Sequence, residues 1–138
     1  MIIACAAVLL GIAIWMWTGH LTEQQRLIRT AEHCIQLVNE RKYWDASRHI
    51  SPGLRAEIDR EAGGIMAAIR IAAEHDAADA ARYSVGRLLR WEEAAGRAEV
   101  EIIRHVTADR RREVIAIPWE RRGNRWEVGP GIAETWSW

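Results

Sequence analysis

The sequence predicts an α+β protein in which an apolar leader and a run of helices precede a four-stranded antiparallel sheet. Three observations carry that prediction. Residues 1–17 contain no charged side chain. Apolar residues then recur at helical spacing from Leu27 to Ala72. From residue 83 onward, apolar and polar residues alternate, with turn-forming residues between the runs.

As a helix the leader would reach ~25 Å, the lower limit for crossing a bilayer. Trp15 and Trp17 fall where an interfacial aromatic belt would lie. The pattern predicts a transmembrane anchor over residues 1–19. A buried core helix and a cleaved signal peptide are the competing readings. Against the signal peptide, no basic residue precedes the apolar run, and bulky Trp15-Met16-Trp17 stands where small cleavage-site residues belong. Arg26 and Arg29 follow the leader, which taken alone favours a cytoplasmic domain. Cys5 and Cys34 would lie ~40 Å apart along helical chain, so no disulfide between them is expected.

Thr22-Glu23-Gln24-Gln25 has the form of a capping box. After it, Leu27, Ile28, Ala31, Cys34, Ile35 and Val38 mark one face of an amphipathic helix. Arg41-Lys42 suits the negative end of its dipole. Residues 43–50 form a short second helix, and Ser51-Pro52 supplies a cap and a first helical residue for the next. Leu54, Ile58, Ile65, Ile69 and Ala72 continue an apolar stripe, with a break expected at Gly63-Gly64.

The strands are expected at residues 83–91, 97–106, 113–120 and 125–128. Glu92 to Gly96, Thr107 to Arg110 and Arg122-Gly123-Asn124 separate them. Ala98, Val100, Ile102 and Val106 share one face of the second run, and Glu99, Glu101 and His105 the other. Val114 to Ile117 is apolar on both faces, which predicts cover on both sides. Pro118 calls for a bulge or a free edge.

Composition excludes more than it selects. Nineteen basic and nineteen acidic residues cancel over 138 residues, so no global field favours nucleic acid, and no nucleic-acid partner is expected. His33, His49 and His75-Asp76 do not form a ligand set at metal spacing, and neither a metal nor another cofactor is expected. Cys34 lies on the apolar stripe and reads as a small core residue.

The order of elements, and the residues Ala31 to Ser47, Ser51-Pro52-Gly53-Leu54 and Arg122-Gly123-Asn124-Arg125-Trp126-Glu127-Val128 in particular, resemble the nuclear transport factor 2-like superfamily. That resemblance covers about residues 22–131. It implies a cone-shaped domain over residues 20–131 whose curved sheet wraps a long helix, followed by a Trp-containing tail at 132–138. Such a domain on a membrane helix is similar to bitopic subunits of secretion and conjugation machines. The likeness implies a periplasmic or other extracytoplasmic domain on a bacterial-type inner membrane. Enzymatic members place an acid, His or Tyr inside the cone.

Strict alternation puts Tyr83, Val85, Arg87, Leu89 and Trp91 on one side of the first strand, and Arg104 on the apolar face of the second. Tyr83, Arg87 and Arg104 are therefore the candidate pocket residues. The bland alternative has both arginines at the rim or paired with strand carboxylates. Arg110-Arg111-Arg112 marks one hairpin tip, and Arg121, Arg122 and Arg125 mark the opposite end, where Glu92-Glu93 could pair with them. Trp15, Trp17, Arg110, Arg111, Arg112, Trp136 and Trp138 are the candidate contacts with a membrane or partner. The expectation is a non-enzymatic, single-pass accessory or assembly subunit whose partners are the bilayer and other subunits of a membrane complex. The alternative is a tethered small-ligand binder or enzyme using the cone cavity.

Overall fold

The computed structural model describes residues 2–131, with side chains at 6–10 and 23–131. The α+β class and the four-stranded antiparallel sheet are as expected. The elements are α1 (Ile2–Asn39), α2 (Tyr43–Ala46), a 3-10 turn (Ser47–His49), α3 (Pro52–Glu61), α4 (Ile65–Asp79), β1 (Ala81–Glu92), β2 (Arg97–Val106), β3 (Arg111–Arg122) and β4 (Arg125–Val128). The strands form one sheet in the order β1-β2-β3-β4. Short connections leave no other pairing.

The apolar leader and the first domain helix are one helix, not two. The capping box expected at Thr22 starts nothing, because the backbone of α1 is already helical there. An interior glycine such as Gly19 costs only about 1 kcal/mol and does not by itself end a helix. Among the described residues no helix is long and apolar enough to cross a membrane. Most of the leader's side chains, Trp15 and Trp17 included, and the tail with Trp136 and Trp138 lie outside the described side chains.

Beyond Glu23, α1 lies on the sheet. Leu27, Ala31 and Cys34 are buried against Tyr83, Ala98, Val100, Ile102, Ile117, Trp119 and Trp126. Those positions follow the helical period on α1 and the two-residue period on β2, so the expected faces of both elements meet. Ser51 Oγ accepts from the Leu54 N–H at 3.1 Å, with Pro52 at the start of α3, as the Ser-Pro pair predicts. Gly63 and Gly64 separate α3 from α4 with φ of 80° and 117°, values that suit residues without a Cβ.

Two strand expectations are corrected, and of the two offered for Pro118 the free edge holds. Val114 is 57% exposed, so β3 is covered on one face only; its outward residues meet solvent. Pro118 makes no bulge, since β2 and β3 stay in register through Glu99–Pro118. Its carbonyl accepts from the Gly129 N–H at 2.8 Å, which puts its nitrogen on the β4 side, just past that strand's last ladder pair, Trp119–Val128. On β1, alternation fails twice: the register against β2 shifts between Val85 and Leu88, and again between Leu88 and Arg90. Each bulge inserts one residue and flips every side chain after it. Leu88 therefore packs on the core, while Leu89 is 44% exposed.

Candidate functional site

The polar interior is built where α1 ends, α4 ends and the sheet begins. Asp76, in the last turn of α4, is 2% exposed. Its Oδ1 accepts from the Tyr83 hydroxyl at 2.6 Å and from Arg104 Nη2 at 3.1 Å. Its Oδ2 accepts from the Tyr43 hydroxyl at 2.8 Å and lies 3.6 Å from Arg41 Nη1. Arg104 Nε also donates to the Tyr83 oxygen at 3.0 Å, and its guanidinium reaches Asp79 at 2.9 Å and Glu113 at 3.5 Å. Each buried member thus has partners on at least two elements, which a buried charge requires.

The cluster brings together two of the three candidate pocket residues. Tyr83 and Arg104 are both buried and in contact. Three carboxylates, Asp76, Asp79 and Glu113, hold the Arg104 guanidinium inside. Arg87 is left out. The first β1 bulge turns it to solvent, where its side chain is 82% exposed and sits 3.6 Å from Glu101.

Asp76 is the residue that sequence reasoning missed. The inward face of β2 carries no carboxylate, and the expectation stopped there; the acid instead arrives from a helix. A signal existed. Ile65, Ile69, Ala72, Asp76 and Asp79 follow one another at steps of three and four, so both acids continue the apolar stripe of α4. An acid on a stripe that faces the core needs a partner there.

No phenol of the cluster is poised to ionise near neutrality. Burial raises the Tyr43 hydroxyl, with the Asp76 carboxylate adding to it and Arg41 opposing, to a pKa of about 12. Burial and Asp76 raise Tyr83 in the same way, against Arg104. Burial opposes the Arg104 charge, but hydrogen bonds to Tyr83, Asp79 and Asp76 outweigh it and raise its pKa. Raised phenols stabilise the fold fully below their unfolded value of 10.0 and lose that contribution as pH rises through the folded values. Stability should therefore stay level up to about pH 10 and fall between about pH 10 and 12. A phenolate absorbance titration of the two tyrosines would check this, since both should ionise at or above the unfolding step.

Elsewhere the other sites behave more plainly. Burial pushes the Cys34 thiol up to about 12, against a weaker backbone hydrogen bond. Iodoacetamide at about pH 8 should leave Cys34 unmodified until the chain is denatured, because the thiolate is the nucleophile. Peptide mapping of the two cysteines would show it. His105 is exposed beside Ser84 at 3.1 Å, on the wet face expected for it. His33 and His49 come together edge to face, with ring centroids 5.5 Å apart. Among the described residues no group of three or more His, Cys, Asp or Glu is arranged to hold a metal.

The hairpin tips are exposed at Arg110, Arg111 and Arg112, with Arg111 pairing to Asp109 and Glu113. At the other end, Arg121 pairs with Glu23 at 3.6 Å and Arg122 with Glu127 at 2.7 Å. Glu92 pairs instead with Arg90, so the expected contacts of Glu92-Glu93 with those arginines do not form. The helix and the adjoining strand supply nearer acids. No protein-family model matches the chain, and no curated protein matches it.

Proposed function

We propose that the protein is a non-enzymatic, single-pass membrane subunit that serves the assembly of a larger complex through protein–protein contacts. The observation that carries this reading is the bare apolar start of α1. Ala6, Ala7, Val8, Leu9 and Leu10 are all exposed, the last three at 61%, 66% and 65%. Five successive residues at 100° each sweep the whole helix circumference, so no side of that stretch is covered by the domain. Water would not tolerate such a surface; lipid or apolar partner helices would.

The same helix, without interruption, becomes the core helix of the α+β domain. That continuity supports an anchor and a presented domain acting as one body. The helices-then-meander order also supports reading the domain as a nuclear transport factor 2-like cone, held outside the cytoplasm. The tethered-enzyme alternative draws less support: the phenols and guanidinium inside are engaged with one another and with Asp76, Asp79 and Glu113.

The test is extraction of native membranes in mild detergent, followed by native mass determination and identification of co-migrating chains. Migration in a defined assembly several times heavier than the 15.7 kDa chain is the expected result. Release by alkaline carbonate wash, or migration as a lone chain, would sink the proposal.

A further inference from the structure

The outward side of α1 carries a second polar feature, unrelated to the buried cluster. Gln25, Arg26, Arg29, Thr30 and His33 line an open groove of about 420 Å³, closed on its far side by His49 of the 3-10 turn. Arg26, Arg29 and His33 are spaced three and four apart, so they stack along one helix face. His33 and His49 present their rings edge to face across 5.5 Å. Donors thus converge from α1 and from the turn, and the described groove offers no acidic side chain in return.

Of the neighbouring carboxylates, Glu23, Glu127 and Glu40 are already engaged, while Glu32, three residues after Arg29, is exposed. Glu23 lies 3.1 Å from Arg26 but also 3.6 Å from Arg121, and it accepts from Trp126 Nε1 at 3.3 Å. Glu127 gives both oxygens to Arg122. Glu40 pairs with Lys42 at 3.1 Å. Arg29 has no carboxylate partner among the described residues.

We propose that this groove binds a phosphate-class oxyanion, either free phosphate or a lipid phosphate headgroup, through Arg26, Arg29, His33 and His49. A tetrahedral anion with several acceptor oxygens matches a guanidinium fork and imidazole N–H groups approaching from different sides. Near neutral pH such an anion carries between one and two negative charges, which one surplus arginine and two imidazole N–H groups can meet. Burial holds His49 below the usual imidazole range, reinforced by His33 and Arg125 and opposed by Glu127. An added anion reverses that balance, so binding and imidazole protonation favour each other. The lipid source rests on the anchored reading above. Arg26 lies seven residues past the end of the expected anchor, ~10 Å along the helix.

The experiment is a titration of isotope-labelled full chain, in nonionic-detergent micelles, with inorganic phosphate while the histidine ring signals are followed. Phosphate should move the ring signals of both His33 and His49. Arg29→Ala should weaken binding about tenfold, the scale of one charge-assisted hydrogen bond, while Arg70→Ala on α4 should leave it unchanged. Unmoved rings, equal shifts with chloride at matched ionic strength, or equal weakening by Arg70→Ala would overturn the proposal. In bilayer nanodiscs, rings shifted by phosphatidic acid and not by phosphatidylcholine assign a lipid headgroup. Rings shifted only by added phosphate assign the free ion. If the chain proves not to be anchored in membranes, the micelle titration still decides the groove by itself.

Discussion

Asp76→Ala should destabilise the domain by about 3 kcal/mol, toward the lower end of the range for breaking a buried ion pair. The substitution removes the acceptor of Tyr43, of Tyr83 and of Arg104 at once. Tyr83 and Arg104 stay buried, at 8% and 6% exposure, and would keep unsatisfied donors. Asp79 and Glu113 still touch Arg104, which limits the loss. Chemical denaturation of the full chain in detergent, followed by circular dichroism, would move its midpoint by about 1–2 M urea. The double variant Asp76→Leu with Arg104→Met should recover much of that loss, because it removes both charges together. If the single variant shifts stability by less than about 1 kcal/mol, the cluster is no stronger than a surface pair, and the account given for it is wrong.

Trp126→Ala should cost about 3–5 kcal/mol, the scale of emptying a large aromatic site in a core. Trp126 is 2% exposed and packs at 5.3 Å from Trp91. The Arg121 guanidinium sits over its ring at 5.9 Å, and its indole N–H reaches Glu23 on α1 at 3.3 Å. Trp126→Phe keeps most of the packing and loses only a long hydrogen bond, so about 1 kcal/mol is expected. Trp44, 52% exposed, serves as the comparison; Trp44→Ala should fall within about 0.5 kcal/mol of the parent. Equal effects at Trp126 and Trp44 would show that the last strand is not part of the core.

The sheet was legible in the sequence because its turns are chemical and its second strand alternates cleanly. β2 and β4 begin and end where the turns place them, while β1 and β3 extend a residue or two further. The Ser51 cap and the Gly63-Gly64 break were equally plain, since both depend on local backbone chemistry. Arg87 was misplaced because a bulge leaves no mark in a period-two pattern. Asp76 was missed because an acid in an alanine-rich helix is indistinguishable from a solvated one until the stripe is carried through it. The join between leader and domain was misread because a capping box describes a helix start only if the preceding residues are not already helical.

Both margins of the sheet are closed, and this bears on how another chain could approach. On β1 the Asn39 side-chain amide occupies the free edge at Tyr83, donating to its carbonyl at 2.9 Å and accepting from its N–H at 2.8 Å. Arg41 covers the carbonyl of Ala81 at 2.7 Å, and the two bulges follow from Val85 onward. On β4, four residues long, the Ser51 N–H takes the Val128 carbonyl at 2.8 Å. Neither margin offers the straight row of open backbone groups that an incoming strand needs. A partner protein would have to be met by side chains on helix faces, hairpin tips or the outer sheet surface. Recruitment by strand addition, and the edge-to-edge aggregation that shares its geometry, are disfavoured by the same few hydrogen bonds.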